Sequence, residues 1–184
     1  MDPYLTTQII TYLGNKRKLL PTIKFVIETI LANEEKTALR MGDGFSGSGI
    51  VSRLFKSYAS ELYTNDIADY SYILNQCYLA NISPEMATEL QRFITEANSY
   101  ADDYANPRNR FSIPEFICGN WAPKSENIEL GERVYFTYEN GKRIDILRNY
   151  IETLREPYKT LLLGRLLVEV SIHNNTNGQF SAYY

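Results

Sequence analysis

The chain has 184 residues, 44% hydrophobic and 22% charged, a balance that suits a soluble globular domain with a real core. Its formal net charge of −3 weighs against a domain built only to grip phosphates, though not against an enzyme that touches nucleic acid through one face. With two cysteines, Cys77 and Cys118, and one histidine, His173, there is neither a disulfide framework nor a Cys/His metal centre, and no metal site is expected.

Leu19, Leu20, Ile23, Val26, Ile27, Ile30 and Leu31 recur at helical spacing, with Pro21 tolerable in a first turn. A strand is predicted at Ala38–Met41, running out at Gly42-Asp43-Gly44, and then a turn punctuated by Gly47 and Gly49. Ile50, Val51, Leu54 and Phe55 carry a second helix, Glu61–Thr64 a second strand closing on Asn65-Asp66, and Ala68–Leu79 a third helix. Ser83-Pro84 opens another helix running towards Tyr104. Residues 107–130, with three prolines and Gly119, read as a long connection. Arg133–Tyr138 alternates as a strand would, followed by a turn at Asn140-Gly141. Two further helices follow, one on Ile144, Leu147, Ile151 and Leu154 and one over Leu161–Ile172, before a polar, aromatic tail. Strand, glycine turn, helix, strand, helix predicts an α/β fold with a parallel sheet. No apolar run approaches the ~18 residues that cross a bilayer. Met1-Asp2-Pro3-Tyr4 lacks the basic and apolar regions of a secretory signal, so a cytoplasmic protein is expected.

Asp43-Gly44-Phe45-Ser46-Gly47-Ser48-Gly49 lies between a predicted strand and helix, where glycines let the backbone turn sharply and approach a ligand. Asp66 ends the next strand, where dinucleotide folds place the acid that binds ribose hydroxyls. A nucleoside-containing ligand follows from that placement. There is no G-x-G-x-x-G and no phosphate loop, so a ligand with little phosphate is favoured over NAD or ATP.

Asp43, Phe45, Gly47 and Gly49, as D-x-F-x-G-x-G, resemble the S-adenosylmethionine loop of the Dam-like DNA adenine-N6 methyltransferase family. Tyr12, Gly14 and Lys16 are similar to that family's opening aromatic-x-Gly-x-Lys, and Asn175, Gly178 and Phe180 to its N-x-x-G-x-F loop. The resemblance implies a Rossmann-like S-adenosylmethionine-dependent methyltransferase fold, here an incomplete parallel sheet flanked by helices. It implies a cofactor-binding core over residues 1–82 and a mostly helical extension over 83–184. Tyr12, Gly14 and Lys16 would pack beside the methionine end of the cofactor, and Asp43 would face its amino group. Gly47 and Gly49 would make room for it, Asp66 would accept its ribose hydroxyls, and Ile67 would wall its adenine. Asn175, Gly178 and Phe180 would form a loop at the DNA and active site, with double-stranded DNA as the partner.

The family's D-P-P-Y-like tetrapeptide, which holds the target adenine's amine, has no counterpart in these residues. Asp2-Pro3-Tyr4 lacks the second proline and precedes the first motif, and Asn106-Pro107-Arg108 lacks the aromatic. No catalytic residue is therefore assigned. The chain reads as the cofactor-binding half of such an enzyme, completed by a second subunit carrying the tetrapeptide and the target-recognition region. A truncated product or a non-catalytic interaction module is the alternative.

Overall fold

Two parallel strands, β1 (Leu39–Asp43) and β2 (Ala59–Thr64), form the sheet in the computed structural model, which describes residues 2–10, 16–105 and 112–176. The register runs from Leu39 opposite Ala59 to Asp43 opposite Thr64, so both strands finish at the same edge. The chain divides into two units, Met1–Ala80 and Asn81–Tyr184.

In the first unit, α1 (Pro3–Thr6) is a single turn capped by Asp2, whose carboxylate accepts the Tyr4 N–H at 2.9 Å. Asp2-Pro3-Tyr4 thus opens a helix and ends no strand. A 3₁₀ turn (Lys16–Leu19) leads into α2 (Leu20–Asn33), where Pro21 sits in the first turn and its missing N–H costs nothing. The connection between the parallel strands contains α3 (Ile50–Lys56). Leu20 and Ile27 of α2 and Ile50, Val51 and Leu54 of α3 form the core, with Leu39 and Met41 of β1 packed against it. Each such side chain, fully buried, is worth roughly 1.5–3 kcal/mol. After β2, α4 (Asp69–Leu79) closes the unit.

The second unit is helical. Its long helix α5 (Pro84–Ala105) starts on Ser83, whose hydroxyl accepts the Met86 N–H at 3.2 Å. A short helix, α6 (Ile117–Trp121), interrupts the stretch read from sequence as a connection. Helices α7 (Tyr138–Glu152) and α8 (Tyr158–Ile172) complete it. Phe93, Ile151, Tyr158 and Leu162 make its core.

The strand expected at Arg133–Tyr138 is absent, and Asn140-Gly141 is no turn. Thr137 instead caps α7, its hydroxyl accepting the Asn140 N–H at 3.1 Å. The preceding backbone is held piecemeal: the Phe136 N–H donates to the Trp121 carbonyl at 3.1 Å, and the Tyr135 carbonyl accepts from the Asn175 N–H at 2.7 Å. Gly141 is needed for close packing, because a Cβ there would lie 2.8 Å from the Ala122 Cβ. An alternating pattern carried no information about these irregular partners. No described helix is long and apolar enough to cross a membrane.

Candidate functional site

Because β1 and β2 end in register, the segments that follow them lie side by side. The Asn65 N–H donates to the Asp43 carbonyl at 2.9 Å, and the Ser46 N–H donates to the Asn65 carbonyl at 3.0 Å. This is the carboxyl edge of the parallel pair, where open α/β sheets bind their ligands.

Both acids singled out in the sequence stand at this edge, and each has an identified internal partner. Asp43 is buried, and its Oδ2 accepts the Ser52 hydroxyl of α3 at 2.7 Å. Asp66 accepts the Gly47 N–H on Oδ2 at 2.8 Å and the Ala68 N–H on Oδ1 at 3.0 Å. Those backbone donors, first Ala68 and then Gly47, hold its carboxyl below the ordinary range, with the Lys16 charge adding to the effect. A carboxylate offers about four lone-pair sites. Asp66 therefore retains capacity for hydroxyl donors from a ligand.

Gly47 and Gly49 both have positive φ, 51° and 76°. Gly49 is the N-cap of α3, and a Cβ there would meet the Asn75 Oδ1 at 2.7 Å. The structure thus requires glycine at 49 for packing within the unit, whatever room it also leaves for a ligand. Phe45 and Ile67, which flank the two acids in sequence, are 83% and 100% exposed. Both side chains stand in solvent at the strand-end edge that carries the two acids. The Lys16 Nζ donates to the Phe45 carbonyl at 3.2 Å, so this basic residue reaches the loop.

Sequence reasoning missed a buried polar cluster beneath the loop. The Ser71 hydroxyl donates to the Gly47 carbonyl at 2.6 Å, and the Asn75 amide donates to the Ser46 hydroxyl at 3.1 Å. Asn75 Oδ1 has no hydrogen-bond partner among the described residues. The available signal was Ser71 and Asn75 four apart on α4, hence on one face of that helix.

The structure brings Lys16, Asp43, Phe45, Gly47, Gly49, Asp66 and Ile67 together in the first unit. Asn175 belongs to the second, where its side-chain amide donates to the Val134 carbonyl at 3.1 Å. Tyr12, Gly14, Gly178 and Phe180 lie outside the described residues. A cavity of about 510 Å³ lies among α5, α7 and α8 of the second unit. Its rim charges are engaged within the second unit, Arg143 with Asp102 and Arg165 with Glu169. Among the described residues no group of three or more His, Cys, Asp or Glu side chains is placed to hold a metal ion.

The molecule is thus an α/β protein with a glycine loop and two acids at the carboxyl edge of a parallel strand pair. The chain belongs to the D12 class N6 adenine-specific DNA methyltransferase family, whose profile matches residues 12–184. It is similar to the type II methyltransferase M.CviAII of Paramecium bursaria Chlorella virus 1, 29% identical over 178 residues, which are 95% of this chain and 49% of that protein. M.NlaIII of Neisseria lactamica is 30% identical over 179 residues, covering 94% of this chain and 48% of that protein. M.FokI of Planomicrobium okeanokoites is 31% identical over 180 residues, covering 94% and 26%. The chain therefore spans about half the length of the first two relatives and about a quarter of the third. No solved structure matches it significantly.

Proposed function

We propose that the chain is the S-adenosylmethionine-binding part of a DNA adenine-N6 methyltransferase with a Rossmann-like fold. The observation that carries this reading is Asp66, fixed on the Gly47 N–H beside Asp43 at the shared end of the two strands. The residues present fit the cofactor: acids with acceptor capacity, exposed apolar side chains beside them, and a loop already shaped by Ser71 and Asn75. Bound there, S-adenosylmethionine supplies the electrophilic methyl group.

Each residue then has a role that its chemistry permits. Asp66 accepts the ribose hydroxyls, charge-assisted bonds worth about 1.5–3 kcal/mol each. Asp43 faces the amino group of the methionine moiety, Ile67 walls the adenine, and Phe45, Gly47 and Gly49 shape the loop around the cofactor. Tyr12, Gly14 and Lys16 close the methionine end. Residues 1–82 form the cofactor-binding core, and Asn175, Gly178 and Phe180 contribute to the DNA side from the helical extension.

The acceptor is an adenine in double-stranded DNA, turned out of the helix so that its exocyclic amine can be reached. The D-P-P-Y-type tetrapeptide that holds this amine is not among the 184 residues. We assign it to sequence outside them, in a second subunit or a longer form of the chain. Relatives named as type II methyltransferases and modification methylases favour a role in restriction-modification.

Labelled S-adenosylmethionine and duplex DNA, incubated with and without a polypeptide carrying the tetrapeptide and recognition region, test the reading. Transfer of label to adenine N6 is expected only with both polypeptides, and is expected to fall with Asp66→Ala. Equal transfer by the parent and Asp66→Ala overturns the site. Binding of neither cofactor nor DNA leaves an interaction module of methyltransferase type.

A further inference from the structure

Arg53 is 2% exposed, one turn into the helix that follows the glycine loop and beside the core residue Leu54. Its Nη1 donates to the Tyr4 carbonyl, and its Nη2 donates to the Thr7 carbonyl at 3.1 Å. The guanidinium also lies 5.7 Å from the Tyr4 ring centroid and 6.0 Å from that of Tyr78, and the Tyr4 hydroxyl donates to the Tyr78 carbonyl at 2.5 Å. No carboxylate pairs with Arg53 among the described residues, and its Nε has no hydrogen-bond partner there.

A buried cation without a counter-ion is expensive, and a methionine or leucine would fill the same space at lower cost. What an apolar side chain could not supply is the pair of directed bonds to main-chain carbonyls. The segment that receives them has little hold of its own, since α1 is a single turn, far below the length at which a helix is stable alone. Gln8, just beyond Thr7, accepts from the Arg17 guanidinium at 2.5 Å, and the neighbouring Lys16 ammonium reaches the Phe45 carbonyl of the loop. Helix α3 thus begins at the loop, on Gly49, and grips the N-terminal segment one turn later.

We propose that Arg53 is a positioning residue of the cofactor site, seating the N-terminal segment, and through it Lys16, against the helix that carries the glycine loop. Its contribution to binding rests on the reading of that loop as the S-adenosylmethionine site. Arg53 acts on the backbone and touches no reacting group.

The test compares the parent chain with Arg53→Met, which keeps the bulk, and Arg53→Lys, which keeps the charge without the fork. The first readout is hydrogen exchange at the Leu5 and Thr7 amides, which donate to the Asp2 and Pro3 carbonyls. The second is S-adenosylmethionine affinity, measured where circular dichroism shows each variant folded. In Arg53→Met these two amides are expected to exchange about tenfold faster while β1 amides keep their parental rates, with affinity falling about tenfold. Arg53→Lys is expected to recover part of both. In a Lys16→Ala background the affinity loss should shrink, because the two side chains act through one segment.

Unchanged exchange in a folded Arg53→Met variant overturns the proposal. So does faster exchange with parental affinity, or losses from Arg53→Met and Lys16→Ala that simply add. Should Arg53→Met not fold, Arg53→Lys carries both readouts, and parental values in it count against the proposal. A parent chain that binds no S-adenosylmethionine defeats the cofactor reading before any variant is compared. The proposed role in binding falls with it, while exchange at Leu5 and Thr7 still shows whether Arg53 seats the segment.

Discussion

The two units of the chain bury different things. Among the described residues, Asp43, Ser46, Ser48, Ser52, Arg53, Ser71 and Asn75 are buried polar side chains of the first unit, whereas the second buries Asp145. Asp145 holds the start of α6, its two oxygens accepting the Ile117 and Cys118 N–H groups at 2.9 and 2.8 Å. The second unit otherwise relies on an apolar core and exposed ion pairs such as Arg92 with Glu96. In the first, Asp43, Ser46, Ser52, Ser71 and Asn75 tie the glycine loop to the strand end and helices beside it, and Arg53 holds the N-terminal segment. Buried polar groups are costly when incompletely paired, so their concentration marks where geometry matters more than bulk stability.

The largest effect should come from the helical core. Ile151→Ala removes a buried side chain from the second unit and is expected to cost about 2–5 kcal/mol in urea denaturation. Where the variant remains folded, S-adenosylmethionine affinity should be parental. A matching loss of affinity would break the division of labour between the units.

Gly49→Ala should act the other way round. A left-handed backbone at a non-glycine residue costs about 1–3 kcal/mol, and here the added Cβ also meets Asn75 Oδ1 at 2.7 Å. The variant should lose most cofactor binding, and Asn75→Ala in the same chain should relieve the clash but not the backbone strain. Parental affinity in Gly49→Ala would show that the loop tolerates another shape.

A smaller effect concerns pH. The Ala68 and Gly47 N–H groups lower the Asp66 carboxyl from its ordinary value of 3.8. A lowered folded value means stabilisation that is fully present above the ordinary value and lost as pH falls through the lowered one. The carboxyl resonance of Asp66 followed by NMR should therefore titrate below 3.8. Titration at or above that value would mean that the two backbone bonds do not persist in solution.

The smallest change is expected at the surface. Arg92→Ala breaks exposed pairs with Glu89 and Glu96 and should leave the urea denaturation midpoint essentially where the parent chain has it. A clearly lower midpoint would show that the stacking of Arg92 on the Phe93 ring, at 4.3 Å, outweighs its ion pairs.

The same contrast explains what could be read from sequence. Strand ends, the glycine turn and the position of Asp66 were legible because they are local, set by backbone freedom and by the length of a βαβ connection. The false strand at 133–138 arose because its hydrogen-bond partners, Trp121 and Asn175, are remote in sequence and leave no periodic trace. Arg53 was hidden for a similar reason: a charged side chain on a helix is read as solvated, and only the tertiary structure brings the Tyr4 and Thr7 carbonyls to it. Asn75 was likewise invisible until the Gly49 backbone was placed against it.

Calorimetric titration of S-adenosylmethionine into the parent chain and into Asp66→Ala tests the central claim most directly. One cofactor per chain, with affinity weakened about tenfold or more by the substitution, is the predicted result, since at least one charge-assisted bond is lost. A folded parent chain that shows no binding at millimolar ligand, or that binds no better than Asp66→Ala, would contradict it.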